Sequence, residues 1–240
     1  MVSFSLWMDA HLFTIIGLIW MIVLGPAVGN YACSVVYRLP RGKTPFERHP
    51  FCGHCNADLK PIDLFPIVSW CMTRGKCRYC KGAIPSIYTV LEVVCGVIFI
   101  AYFLKFGISE QFLLYTTYAV FVVIMAAIQW QQGWIAATIY SYAFACLALA
   151  RVLAEHTIYG VVQTGFVMMI LALAALRLSG SKVSPFEKPW VWWFTLMGAL
   201  LPFDQWQYIL PFFVMKFLVP KEARVIVYVA GALALPLILP

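Results

Sequence analysis

Apolar residues run along this chain in long unbroken blocks rather than in alternating or 3.6-residue patterns. Such blocks predict helices that are apolar on every face, and about 20 residues of this kind are enough to cross a bilayer. Eight blocks qualify, at 12–37, 86–106, 111–129, 134–151, 157–177, 189–203, 206–219 and 224–240. The sixth and seventh are short, and Asp204 between them also fits a re-entrant pair. The first block is too long for a removed signal peptide and lacks a basic start and a small-residue cleavage site, so it is expected to stay as an anchor. The expected fold class is an all-α polytopic membrane protein with about eight transmembrane helices.

One stretch interrupts the pattern. Across 38–85 the polar content rises, Pro40, Pro45, Pro50, Pro61, Pro66 and Pro85 punctuate the chain, and no apolar run is long enough for a span. The expected organisation is a first transmembrane helix at 1–37, a small domain at 38–85 and a transmembrane helical domain at 86–240. A domain of under about 50 residues buries too little apolar surface to hold a fold without a metal or disulfides.

Composition agrees with a membrane protein, since 63% of the 240 residues are hydrophobic and 11% are charged. Charge adds orientation. Of 17 Lys and Arg, fifteen fall on alternate loops: nine in the first loop, then Arg177, Lys182 and Lys188, then Lys216, Lys221 and Arg224. Lys105 and Arg151 alone fall on the other side. The positive-inside tendency then puts both termini outside and the 38–85 loop in the cytoplasm. The net charge of +7 needs no nucleic acid to explain it, because most of it lies beside anionic headgroups, where each Lys or Arg contributes about 1 kcal/mol. Trp130 and Trp134, and Trp190, Trp192 and Trp193, read as interfacial anchors rather than base-stacking platforms. The sequence has no fixed-period repeat, low-complexity tract or glycine-rich phosphate loop.

The chemistry of the small domain lies in Cys52, Cys55, Cys77 and Cys80, two C-x2-C pairs. Two intervening residues form a knuckle that points both sulfurs at one ion, so two pairs can close a tetrahedron around Zn²⁺. Disulfides are the alternative, but they need an oxidising compartment, and a cytoplasmic loop favours zinc. His49 and His54 lie near enough to the first pair to be substitute ligands, although the four thiolates already complete a set. Gly53, Gly75 and Gly82 stand where tight turns are expected, and Cys33, Cys71, Cys95 and Cys146 read as buried free thiols.

Several stretches together resemble a known family. They are Gly29-Asn30-Tyr31 with Val35-Val36-Tyr37-Arg38-Leu39-Pro40-Arg41-Gly42, Cys52-Gly53-His54-Cys55, and Ile62-Asp63-Leu64-Phe65-Pro66-Ile67-Val68-Ser69-Trp70. Arg74-Gly75-Lys76-Cys77-Arg78-Tyr79-Cys80, Ile84-Pro85, and Tyr88 through Glu92 follow. Residues 25–100 thereby resemble the bacterial type IV prepilin peptidases, inner-membrane enzymes that cut the leader from prepilins and pseudopilins and methylate the new N-terminus. Asn30 stands where the family usually has Ser, and Cys33 where it usually has Asn.

The resemblance implies a peptidase built on two aspartates near the cytoplasmic face that share the proton work on a water. At the first, this chain has Gln129, with Ala136 and Ala137 at the Pro-Asp positions that follow. At the second, the best placement of the glycine-rich motif falls on Pro185-Phe186-Glu187-Lys188, which puts Lys188 at the aspartate; a one-residue slip offers Glu187. Gln129 leaves at most one carboxylate there, because an amide cannot exchange a proton with water as a carboxylate does. After residue 100 the acids are Glu110, Glu155, Glu187, Asp204 and Glu222, of which Glu187 and Glu222 alone fall on the cytoplasmic side.

The leading expectation is therefore a prepilin-peptidase-like protein of the bacterial inner membrane, in type IV pilus or type II secretion assembly. It has a degenerate peptidase site and retains binding to prepilin or pseudopilin N-terminal helices. The alternatives are an active leader peptidase or N-methyltransferase, which would use S-adenosylmethionine, and a transporter. Glu92 is the candidate for methyl transfer, set against a structural bond to the loop through Arg38 or Arg74. Asp58 and Asp63 read as turn or zinc-domain residues. A transporter is disfavoured by the lack of paired broken helices or rows of inward charges.

Overall fold

The computed structural model describes residues 2–44, 50–132, 137–155 and 224–238. The order is α1 (Val2–Arg38), 3-10 turns at Leu39–Arg41 and Pro61–Leu64, α2 (Val68–Thr73), α3 (Ser86–Phe106), α4 (Glu110–Gln132), α5 (Ala137–Glu155) and α6 (Arg224–Ile238). Among the described residues there is no strand, only two isolated antiparallel bridges in the small domain. Three helical stretches, His11–Arg41, Ser86–Phe106 and Glu110–Gln132, are long and apolar enough to cross a membrane. The blocks expected at 134–151 and 224–240 coincide with α5 and α6. Those at 157–177, 189–203 and 206–219, with Asp204, lie outside the described residues.

The chain forms two compact units, Met1–Gly107 and Ile108–Pro240. In the first, α1 and α3 pack antiparallel along a line of small residues. A Cβ on Gly25 would lie 2.7 Å from the Cα of Gly96, and one on Gly29 would lie 2.6 Å from the Cα of Glu92. Glycine is required at both positions because backbone, which cannot yield, occupies the space a side chain would need. Without a hydrophobic drive between helices in lipid, such close backbone approach supplies the packing that holds them. Pro85 precedes α3, and Gly107, at φ +61°, ends it with its N–H on the Phe103 carbonyl at 2.8 Å.

In the second unit, α4 packs against α5 and α6. It begins at a Ser109 hydroxyl that accepts the Phe112 N–H at 3.2 Å. Tyr118, Val122, Met125 and Ile128 form its buried side.

Candidate metal centre and peptidase-type positions

The two cysteine pairs sit on two copies of one loop. In the first, Phe51 bridges to Asp58, the Cys52 N–H donates to the Ala57 carbonyl at 2.9 Å, and the Asn56 N–H donates to the Cys52 carbonyl at 2.9 Å. In the second, Lys76 bridges to Ala83, the Cys77 N–H donates to the Gly82 carbonyl at 2.8 Å, and the Lys81 N–H donates to the Cys77 carbonyl at 3.0 Å. Each loop reverses through a left-handed residue placed just after its second cysteine: Asn56 at φ +56° and Lys81 at φ +59°. Of the three glycines expected at tight turns, only Gly75 takes a positive φ, +69°. Gly82 instead leaves room for its neighbours, since a Cβ there would come within 3.2 Å of the His54 ring and 3.3 Å of the Cys80 sulfur.

These loops bring the sulfurs of Cys52, Cys55, Cys77 and Cys80 within 4.8 Å of one another, with Cys52 and Cys80 3.9 Å apart. A tetrahedron with metal–sulfur bonds of about 2.3 Å has sulfurs about 3.8 Å apart, so the donor set fits a tetrahedral thiophilic ion. Cys52 and Cys77 are buried, at 8% and 3% exposure, while Cys55 and Cys80 face outward. Burial by itself raises the Cys52 thiol, but N–H donors from Cys55 and His54 and the thiols of Cys77 and Cys55 outweigh it and hold Cys52 at about 6. At Cys80 the Gly82 N–H pulls downward, yet burial and the three other thiols together push the group up to about 11. One sulfur is thus disposed to ionise first and support its neighbours as acceptor, an asymmetry common where thiols crowd.

Among the described residues no histidine joins the cluster. The His54 ring instead lies 3.2 Å from the Ala83 carbonyl and ties the first loop to the second. His49 lies outside the described residues. Of the other four cysteines, Cys95 is buried and Cys33 half-buried, but Cys71 and Cys146 are exposed. The expectation of burial fails for those two because their apolar neighbours mark a surface-lying helix and an outward helix face, not a core.

Asp63 is engaged within the small domain, as a turn residue. Its carboxylate accepts the Lys60 N–H at 3.1 Å and the Tyr79 hydroxyl at 2.9 Å, and pairs with Arg78 at 3.0 Å. The bond to Asp63 raises the Tyr79 phenol above its usual value. Asp63 thereby fastens the 61–64 turn to the second cysteine loop.

The same segment is clasped to the helices. The Asn30 side-chain amide donates to the Leu64 carbonyl at 2.8 Å, and Glu92 accepts the Ile67 N–H at 2.7 Å. Ile67 is held at φ +61°, ψ −49°, a region disfavoured for a β-branched residue. Cys33 donates to the Tyr88 carbonyl at 3.3 Å, joining α1 to α3. Asn30 and Cys33, the two departures from the family pattern, thus both bridge elements. Glu92 is buried, at 8% exposure.

Gln129 lies in the last turn of α4, half-buried, between buried Ile128 and exposed Trp130. Ala137 opens α5. Ala136, Glu187, Lys188 and Glu222 lie outside the described residues.

Residues 23–106 match the family described as the Bacterial Peptidase A24 N-terminal domain. The chain is 34% identical over 92 residues to a prepilin leader peptidase/N-methyltransferase of Myxococcus xanthus (strain DK1622), covering 37% of this chain and 27% of that protein. It is 29% identical over 115 residues to the same kind of protein from Stutzerimonas stutzeri, covering 38% and 39%. With the Bacillus subtilis (strain 168) protein it shares 29% over 91 residues, covering 38% and 37%. The chain therefore spans well under half the length of these relatives. No solved structure matches it. Over residues 23–106, the chain is thus similar to the N-terminal domain of the bacterial prepilin leader peptidase/N-methyltransferases.

Proposed function

We propose that this chain is a prepilin-peptidase-like protein of the bacterial inner membrane that lacks aspartyl peptidase activity and retains binding to the N-terminal helices of prepilins or pseudopilins. It would serve as a non-catalytic component of type IV pilus or type II secretion assembly. The observation that carries the reading is Gln129, an amide at the first aspartate position in a chain whose N-terminal domain keeps the family pattern. An amide can hold a water but cannot take its proton, and Lys188 at the second position would disfavour a protonated acid beside it.

Cys52, Cys55, Cys77 and Cys80 would hold one Zn²⁺ as thiolates, on the side of the membrane where reducing conditions keep them free. With all four positions taken by sulfur the ion would have no open site for a substrate, so its contribution is the fold of the 50–85 region. The proposed topology puts this domain in the cytoplasm and both termini outside, from the distribution of Lys and Arg.

A second reading, N-methyl transfer, is supported by the match to residues 23–106, the part the family resemblance associates with that activity. Purified protein in lipid, given a prepilin and labelled S-adenosylmethionine, separates the two. We expect an uncut substrate that co-purifies with the protein. Cleavage by the parental chain rejects the degenerate site, and label on a pre-cut pilin establishes the second reading.

A further inference from the structure

The 61–72 segment leaves four large apolar side chains in the open. Phe65 is 60% exposed and Met72 68%, with Ile62 and Val68 close behind at 53% and 47%. Their spacing groups them: Ile62 and Phe65 are three apart across a 3-10 turn, and Val68 and Met72 are four apart on α2. In a small domain surrounded by water, such a group would be an anomaly, because contiguous exposed apolar surface marks an interaction site.

The clasp to the helices fixes the depth of the segment. Glu92, which holds the Ile67 N–H, lies six residues into α3, about 9 Å along its axis from Ser86. Asn30, which holds the Leu64 carbonyl, lies eight residues before the end of α1, about 12 Å from Arg38. Gly29 against Glu92 puts the two anchor points at one level. Residues 64–67 therefore run beside the two helices about two turns below their ends, inside the stretches apolar enough to cross a membrane. At that level the outer faces of the pair are already apolar, with Val90 and Val93 exposed on α3. The four side chains continue that surface.

Charge fits the same occupant. Lys60, Arg74 and Lys76 are exposed beside the apolar group, and the only acid in 60–81, Asp63, is engaged by Arg78. An apolar face flanked by basic residues, able to sink about 5–10 Å into the headgroup–acyl boundary, is the arrangement of an interfacial element on anionic lipid.

We propose that residues 61–72 form a membrane-dipping segment whose Ile62, Phe65, Val68 and Met72 side chains insert at the headgroup–acyl boundary of an anionic leaflet, with Lys60, Arg74 and Lys76 at headgroup level. The tetracysteine domain is then held against the bilayer at a fixed depth rather than tethered as a free cytoplasmic module. The proposal rests on α1 and α3 crossing the membrane and stands whether or not the peptidase-like reading does.

The test uses the full chain in nanodiscs of phosphatidylethanolamine and phosphatidylglycerol. A fluorescent amino acid is placed at Phe65 or Met72, with Thr44 as the control and metal content as the check on folding. At Phe65 and Met72, lipid brominated in the upper acyl chain should quench more than aqueous iodide does, and at Thr44 the order should reverse. Iodide quenching equal to that at Thr44 would show a water-exposed face and overturn the proposal. Protection from both quenchers would show a covering protein segment or partner and overturn it equally. As a measurement on the unmodified protein, a carbene-generating lipid should label the 61–72 peptide; label confined to α1, α3 and α4 would contradict insertion.

Discussion

Replacing Glu92 with alanine tests the clasp that sets the position of the 61–72 segment. The Glu92 carboxylate, 8% exposed, accepts the Ile67 N–H at 2.7 Å, while Ile67 sits in a backbone region that costs about 1–3 kcal/mol. A hydrogen bond to a charged group contributes about 1.5–3 kcal/mol net, so its loss should lower the free energy of local opening at this turn by about 2 kcal/mol. That is a rise of about 30-fold in the open population, at 1.4 kcal/mol per factor of ten. Asn30 still holds the Leu64 carbonyl, so the segment should loosen at 65–68 without detaching.

Hydrogen exchange read by mass spectrometry on peptides covering 61–72 measures this opening directly, since local opening and exchange share one equilibrium. Glu92→Gln keeps an acceptor oxygen but loses the charge assistance, roughly half the bond, so exchange should rise only about fivefold. An unchanged 61–72 exchange in Glu92→Ala refutes the clasp. So does acceleration spread evenly over both cysteine loops. The same pair separates structure from chemistry: methyl transfer lost in Glu92→Gln, with docking nearly intact, would mark Glu92 as a reacting group.

Elemental analysis should find one equivalent of zinc in the parental chain and none in Cys52→Ser, Cys77→Ser, and full retention in the double variant would reject the assignment. Metal affinity should fall as pH drops through the neutral range, because Cys80, at about 11, must lose its proton to bind, while Cys52, at about 6, begins to regain one only below that value; a flat competition titration would contradict this. Gly25→Leu should separate α1 from α3, since its side chain would enter backbone space at Gly96; unfolding in lipid at least about 2 kcal/mol easier is expected, and parental stability would refute the packing. Gln129→Asp alone should leave a prepilin uncut, and cleavage by that single variant would show that a carboxylate at a position other than 188 completes the site.

The helices legible in the sequence are those whose signal is local. Unbroken apolar runs located α3 to its first residue, where Pro85 ends the extended loop, and α4 to within a few residues. The start of α1 was legible only in part: the apolar run is read from 12 within a first helix set at 1–37, and the helix begins at Val2, because Ser3, Asp9 and His11 interrupt an apolar pattern without interrupting a helix. The pairing of α1 with α3 had a signal, since Gly25 and Gly29 form a small-xxx-small spacing of the kind that lets membrane helices approach. What that spacing could not name was the partner.

The same division runs through the site. The tetracysteine cluster could be read because each knuckle is built within a few residues, and the chemistry of thiolates then joins the two halves. The clasp could not, because Asn30 and Leu64 are 34 positions apart, and Ile67 and Glu92 are 25 apart. Each acceptor or donor on the loop side is backbone, which carries no residue-type signal. Glu92 drew attention as an acid in an apolar helix, and the expected partner was a loop arginine; the structure supplies the Ile67 N–H, at the cost of a positive φ on a β-branched residue. That strain is informative. A turn held in an unfavourable conformation by a buried carboxylate and a half-buried amide must be stabilised by its position rather than by its own sequence. The position it serves is the attachment of the cysteine domain to the end of the α1–α3 pair.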